Sequence, residues 1–208
     1  MKIAIAEHSV HLNKLIESQQ LRIIYKNDGA GTKTIVDWAL AWVYSGFRSK
    51  LMVLLDKDQA GIKAKSELET SEAYKRRQNS LAMRIQFIEP SDEIITLLGK
   101  NIKFEYEIEH LLSLDFWQEI KGHNYQEVRP AEELGRMFLG LVPRDKALDF
   151  VIDDLVDNIK IRDTILTFLP KELKKKRIVE LLENYVDKNS ATLGFKRTIQ
   201  KIENYFCP

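Results

Sequence analysis

A short apolar segment that ends at two aspartates constrains the fold of this chain more than any other feature. Residues 49–61 read SKLMVLLDKDQAG, so five apolar residues run directly into Asp56-Lys57-Asp58. A continuous apolar run with a turn signal behind it is typical of a buried strand in a parallel sheet. Side chains just beyond the carboxyl ends of such strands line the crevice in which open α/β sheets bind ligands. The sequence therefore predicts a parallel strand whose end carries Asp56 and Asp58.

A shorter apolar run near the amino terminus, residues 3–6, also ends at an acidic residue, Glu7. If the two runs are neighbouring parallel strands, Glu7 meets Asp56 and Asp58 at one edge of the sheet. Carboxylate oxygens grouped in this way favour Mg²⁺ or Mn²⁺. A solvated turn is the alternative interpretation, because an Asp-x-Asp sequence is common on its own.

The rest of the first 115 residues predicts alternating strands and helices. Further strands are expected over residues 21–25 and within residues 80–89, where apolar and polar side chains alternate. Helices are expected after Ser9, after the glycine-rich stretch 27–34, over residues 60–77, and from Pro90 to Gly99. The stretch 27–34 does not have the spacing of a Walker phosphate loop, and we interpret it as a strand-to-helix turn. This order predicts a parallel sheet flanked by helices.

Acidic residues are again concentrated in residues 104–112, FEYEIEHLL. The three acids, Glu105, Glu107 and Glu109, and the histidine, His110, could supply further metal ligands. The same acids are also favourable in the first turn of a helix, where they complement the helix dipole. The residues alone leave both interpretations open.

From Trp117 onward the pattern is helical, with helices expected over residues 131–141, 146–168, 171–186 and 194–206. The densest basic cluster lies in residues 171–177, and Arg197 and Lys201 follow it. Such a cluster is either a solvated helix face or a contact for a phosphodiester backbone beside the acidic crevice.

Composition sets the outer limits of the function. The 208 residues are 44% hydrophobic and 30% charged with a net charge of +1, so attraction to nucleic acid would have to come from local patches. Cys207 is the single cysteine, which excludes an internal disulfide and fits a reducing compartment. No apolar run approaches the roughly 20 residues that span a bilayer. We therefore expect a cytoplasmic protein without a membrane partner.

Four segments carry a family resemblance when taken together: IAIAE at 3–7, NDGAGT at 27–32, VLLDKDQAG at 53–61 and EIEHLL at 107–112. They resemble the Toprim domain of topoisomerases and bacterial-type primases, and most closely the Toprim half of the OLD (overcoming lysogenization defect) family nucleases. The resemblance implies a Toprim-like Rossmannoid parallel sheet flanked by helices over residues 1–115. Residues 116–208 would then be an α-helical carboxyl-terminal extension packed on it.

The same resemblance implies an endonuclease subunit that uses Mg²⁺ or Mn²⁺ to cleave DNA, works with an ATPase subunit in trans and serves antiviral defence. The metal ligands that it implies are Glu7, Asp56, Asp58, Glu107 and Glu109. Glu7 could instead act as a general acid or base. A lysine is expected near the scissile phosphate, for which Lys188 and Lys196 are the candidates. Self-association into a homo-oligomer is left open.

Two positions depart from the family pattern. The family's glutamate is normally followed by glycine and, four places on, by aspartate, whereas this chain has His8 and His11 there. The chain also lacks the P-loop of the OLD ATPase domain, so we expect a free-standing Toprim subunit or a fragment. The alternative function is a non-catalytic Toprim subunit that senses or restrains its ATPase partner.

Overall fold

A computed structural model describes residues 1–24, 32–77, 82–123, 125–143, 147–156, 158–168 and 174–207. These residues are mainly helical and include a small parallel sheet, so the chain is a mixed α/β protein. In chain order the elements are α1 (Lys2–His8), α2 (Val10–Glu17), α3 (Thr32–Ser45), β1 (Leu51–Leu55), α4 (Gln59–Thr70), α5 (Glu72–Arg77), β2 (Met83–Phe87), α6 (Asp92–Gly99), the 3-10 helix η1 (Ile108–Leu111), α7 (Leu114–Gly122), β3 (Glu127–Val128), α8 (Ala131–Met137), α9 (Leu148–Leu155), α10 (Ile159–Leu166), β4 (Thr167–Phe168), α11 (Lys174–Asn184), α12 (Lys188–Ala191), the 3-10 helix η2 (Leu193–Phe195) and α13 (Lys196–Phe206).

The strand predicted before Asp56 is confirmed as β1, and the predicted strand within residues 80–89 is confirmed as β2. The two strands pair in parallel, with Leu51 opposite Met83 and Leu55 opposite Phe87. Helix α4 follows β1 and helix α6 follows β2, as the alternating pattern predicted. Both strands therefore present their carboxyl ends at the same edge of the sheet.

The small sheet separates two clusters of buried side chains. Val53 and Leu55 belong to the smaller cluster, which they form with α3, α4 and β2. Met52 and Leu54 point to the opposite face, as alternation along a strand requires, and pack against the larger cluster. The larger cluster contains residues from α1 and α2 as well as from α7 to α13. The carboxyl-terminal helices thus complete the core on one face of the sheet.

The strand predicted over residues 3–6 is wrong, because these residues lie in helix α1. Buried and half-buried side chains recur at Met1, Ala4, Ile5 and His8, which is the three-and-four spacing of one helix face. Four residues with alternating Ile and Ala are too few to separate this spacing from a strand, and alanine has the strongest helix propensity.

The strand predicted over residues 21–25 is also wrong within its described part, residues 21–24, which form neither strand nor helix. The chain reverses directly before it, because Gln19 has a positive φ of 60° and the N–H groups of Gln20 and Leu21 both donate to the Leu15 carbonyl. Ile24 is left 68% exposed. Residues 25–31, which include most of the glycine-rich stretch, lie outside the described residues; the predicted helix after that stretch is confirmed as α3.

Two long predicted helices are each divided in the structure. Residues 60–77 form α4 and α5, separated at Ser71, which has an extended backbone and accepts a hydrogen bond from Tyr74 N through its hydroxyl. Residues 146–168 contain α9 and α10, which are separated where Val156 leaves helical geometry at φ −124° and ψ 85°. Neither break is marked by a glycine or a proline, so the pattern alone could not locate them.

The carboxyl-terminal helical character is confirmed, with α8 within residues 131–141, α11 within 171–186 and α13 within 194–206. The basic cluster of residues 171–177 falls largely outside the described side chains. The sequence did not predict the antiparallel pair β3–β4, in which Glu127 lies opposite Phe168 and Val128 opposite Thr167. Among the described helices, none has both the length and the apolar character needed to cross a membrane.

A buried arginine fixes β3 and α8 to the end of α10. Arg129 is 7% exposed; its Nε donates to the Ile165 carbonyl at 2.7 Å and its Nη2 donates to the Thr167 carbonyl at 3.1 Å. Its Nη1 pairs with Glu133, one helical turn further along. The guanidinium therefore satisfies carbonyl groups at the helix-to-strand junction, where intrahelical partners end.

We expect the Arg129→Ala variant to lose about 2–4 kcal/mol of unfolding free energy, because buried carbonyls would lose their donor. Urea denaturation followed by circular dichroism measures this loss. Arg136→Ala is the matched control, since Arg136 pairs with Glu132 across the same helical spacing but both side chains are exposed. Equal losses in the two variants would contradict the anchoring role of Arg129.

Candidate functional site

The turn that follows β1 is held by backbone pairing to a distant segment. Lys57 N donates to the Tyr106 carbonyl at 2.9 Å, and Tyr106 N donates back to the Lys57 carbonyl at 3.3 Å. This isolated antiparallel bridge lays residues 105–109 against the end of β1. The two acidic segments singled out in the sequence, residues 56–58 and 107–109, are therefore neighbours in the fold.

Asp56 makes the second contact between these segments. Its Oδ1 accepts a hydrogen bond from Ile108 N at 2.9 Å. Ile108 is the first residue of η1 and stands between Glu107 and Glu109 in the chain. Glu109 is only 8% exposed, so this carboxylate is one of the few buried acidic groups of the described chain. The arrangement brings Asp56 to the segment that carries both glutamates.

Asp58 caps the helix that follows. Its Oδ1 accepts from Gly61 N at 2.7 Å, which is the contact expected of an aspartate at a helix N-cap. Gly61 permits a very close approach here, because a Cβ added at this position would lie 2.0 Å from the Asp56 carbonyl oxygen. Gly61 is thus a steric requirement of the turn.

Aromatic side chains close the site toward the core. Burial, reinforced by the negative charge of Glu89, raises the pKa of the Tyr106 hydroxyl to about 12, so this phenol stays neutral at physiological pH. His110 accepts a hydrogen bond from Glu107 N through its Nδ1 at 3.0 Å and stacks on Trp117 with a 5.7 Å centroid separation. The contact through Nδ1 fixes the orientation of the imidazole within η1.

The remaining sequence-predicted residues lie around the end of α1. Glu7 is exposed on this helix, and its backbone carbonyl accepts a hydrogen bond from Asn189 of α12 at 3.3 Å. Lys188 is the first residue of α12, and Lys196, the first residue of α13, is close enough to His8 for their charges to interact. The structure thus groups Glu7 with the segments that carry the two candidate lysines.

His8 and His11, which differ from the family pattern, connect the two ends of the chain. His8 Nε2 lies 2.9 Å from the Thr192 carbonyl oxygen, and His11 Nδ1 lies 3.1 Å from Glu203 Oε1. Ser9, between them, donates to the same Glu203 oxygen at 3.0 Å. In this structure both histidines therefore serve contacts between the first two helices and the carboxyl-terminal segment.

Sequence reasoning missed a lysine pair at the same edge of the sheet. The ammonium groups of Lys57 and Lys65 lie 4.0 and 5.0 Å from the centroid of the Phe87 ring. The alternation of side chains along an extended chain indicates that Lys57 points away from the two aspartates that flank it, but it does not indicate that Lys57 meets Lys65.

The donor groups of this edge are carboxylates, which are the usual protein ligands of divalent ions. Mg²⁺ is commonly bound through one or two carboxylates, with waters and substrate phosphates completing its shell. Asp56 and Asp58 are carboxylates of this type, and the segment that carries Glu107 and Glu109 is hydrogen-bonded to Asp56. Over the described residues, no three His, Cys, Asp or Glu side chains are grouped so that they could hold a metal. The assignment of individual ligands therefore stays a prediction.

Comparisons with known proteins add no assignment: no family model, no curated protein and no solved structure matches this chain.

We expect Gly61→Ala to destabilise the protein by about 2–3 kcal/mol, because the new methyl group would overlap the Asp56 carbonyl. Thermal and urea unfolding measure the change. Gly99→Ala is the matched control: Gly99 also lies in a helix, but a Cβ there meets no atom within 4 Å. A Gly61→Ala variant as stable as the Gly99→Ala variant would show that the turn does not need this close approach.

His8 gives a pH-dependent prediction. Burial lowers the pKa of its imidazole, and the charge of Lys196 acts in the same direction, against the opposing effects of the Thr192 carbonyl and of Glu7. The folded state therefore prefers neutral His8, while the unfolded chain titrates near a pKa of about 6.5. The stabilisation is complete above that value and is lost as the pH falls through the lower pKa of the folded state.

We accordingly expect the unfolding free energy of the wild type to fall more steeply below about pH 6.5 than that of His8→Gln, which has no group to protonate. Urea denaturation of both proteins over a pH series provides the measurement. Other titrating groups are common to the two proteins and cancel in the comparison. Identical pH slopes would rule out a contribution from His8.

Proposed function

We propose that this chain is a Toprim-like endonuclease subunit that cleaves DNA phosphodiester bonds with Mg²⁺ or Mn²⁺ and works with an ATPase partner. The single observation that supports the proposal is the hydrogen bond from Ile108 N to Asp56 Oδ1. It joins the Asp-x-Asp turn after a parallel strand to the glutamate segment 107–109, and these are two of the segments on which the family resemblance rests.

The proposed ligands are Asp56 and Asp58, with Glu109 and Glu107 from the neighbouring segment. A divalent ion bound there would supply Lewis-acid polarisation of the phosphoryl group and a more acidic bound water. The chain's own residues provide the setting: the Lys57–Tyr106 bridge fixes the turn, and the Asp58 cap orients the first turn of α4 toward it. Buried, neutral Tyr106 helps to keep water away from the inner side of this edge.

Glu7 is not among the metal ligands that we propose. The expected role in the metal site required a strand that ends at the same edge as β1, whereas α1 carries Glu7 beside α12. We therefore base the proposed function on residues 56–58 and 107–109 alone.

Asp56→Asn and Asp58→Asn should each reduce Mn²⁺-dependent plasmid nicking to background. Asparagine keeps an acceptor oxygen for Ile108 N or Gly61 N, so each variant removes negative charge and leaves the local hydrogen bond available. The assay uses the full chain together with any ATPase that copurifies with it. Asp92→Asn is the matched control, because Asp92 is an acid in the first turn of another helix with an 81% exposed side chain. Unchanged nicking by both Asp56→Asn and Asp58→Asn would contradict the nuclease proposal.

The second candidate function is a non-catalytic subunit that regulates an ATPase through contact. The observation that favours it concerns His8 and His11, which stand where the family pattern has glycine and aspartate. Both side chains make contacts between helices, on the side of the molecule that carries Glu7. Calorimetric titration with Mn²⁺ separates the two functions. Heat of binding that disappears in Asp56→Asn supports the nuclease, whereas a wild type that binds no Mn²⁺ at millimolar concentration supports the regulatory subunit.

A further inference from the structure

The lysine pair at the edge of the sheet has a fixed geometry. Phe87 is the last residue of β2 and lies opposite Leu55, the last residue of β1. Lys57 reaches the ring from the turn after β1, and Lys65 reaches it from α4. An ammonium group within about 6 Å of an aromatic centroid is attracted by the ring quadrupole. The ring thus holds two flexible side chains in one place.

The charges of this cluster are incompletely balanced. Lys65 has a carboxylate 3.6 Å away on its own helix, from Glu69. Among the residues that the structure describes, no carboxylate forms an ion pair with Lys57. The two ammonium nitrogens are at most about 9 Å apart, comparable with the Debye length of about 8 Å at physiological salt, so their repulsion is only partly screened. An anion placed beside them would relieve that repulsion.

The position of the cluster identifies the kind of anion. Asp56 turns toward Ile108, on one side of the turn, and Lys57 turns toward Phe87, on the other. A group that spans the turn would meet carboxylates on one side and ammonium groups on the other. A phosphodiester backbone has the matching chemistry, because a divalent ion can join its oxygens to the acids while the lysines contact a phosphate directly.

We propose that Lys57 and Lys65, gathered over Phe87, are the DNA phosphate contact of this site; this inference rests on the proposed nuclease function. It gives the substrate-positioning role to residues beside the acids, in addition to the sequence-based candidates Lys188 and Lys196. Both lysines act as positioning residues that contact the DNA backbone without reading its sequence.

The test is the salt dependence of DNA binding by the full chain, measured by fluorescence anisotropy with a labelled duplex in EDTA, so that cleavage plays no part. The slope of log affinity against log salt concentration is negative, and each lysine that neutralises a phosphate adds about 0.9 to its magnitude. Lys57→Gln and Lys65→Gln should each make the slope shallower by about 0.9, and Lys57→Arg should preserve it. Lys63→Gln is the matched control, with the same charge change at an exposed position of α4, the helix that carries Lys65.

Slopes that become shallower in Lys57→Gln and Lys65→Gln but not in Lys63→Gln support the inference. If they do so while neither the wild type nor any variant cleaves DNA, only the nuclease proposal fails. Slopes that are equal in all three variants overturn the inference, and so does a wild type that does not bind the duplex at low salt. If cleavage by the wild type still depends on Asp56, the nuclease proposal survives that result. The two failures are therefore distinguishable.

Discussion

The pairing of Lys57 with Tyr106 is the interaction on which the proposed site depends. A two-stranded parallel sheet has little rigidity of its own, since isolated strand pairs are marginally stable in water. The backbone bridge extends β1 by one more paired position, and the Asp56–Ile108 hydrogen bond follows directly beside it. Without these contacts the aspartate turn and the glutamate segment would lose the backbone pairing that holds them side by side, and no common site could be assigned to them.

The sequence was informative where one pattern satisfied one structural need. The apolar run 51–55 and the alternating residues 83–87 could be assigned as parallel strands because both faces of β1 and one face of β2 are covered. The amino-terminal run failed for a physical reason: Ala4 and Ile5 are buried as part of a helix face that only becomes visible when Met1 and His8 are included. The conclusion that Glu7 meets the aspartates depended entirely on that strand.

Only some of the contacts around the candidate site could be predicted from the sequence. Strand ends and acidic spacing predicted that Asp56 and Asp58 share an edge, and the family resemblance added the segment 107–109. The lysine pair at Phe87 and the contacts of His8 and His11 could not be predicted, because they join residues that are far apart in the chain and have no shared local pattern. Tertiary proximity decides these contacts, and single-sequence periodicity contains no information about it.

A glycine in the carboxyl-terminal segment has a consequence for how the two ends of the chain cooperate. Gly194 of η2 lies so close to η1 that a Cβ there would be 2.4 Å from the Leu111 carbonyl oxygen. The last turn of the glutamate-bearing 3-10 helix is therefore wedged between the strand-end turn on one side and η2 on the other. A displacement of the carboxyl-terminal segment would therefore be transmitted through η2 to the segment that carries Glu107 and Glu109.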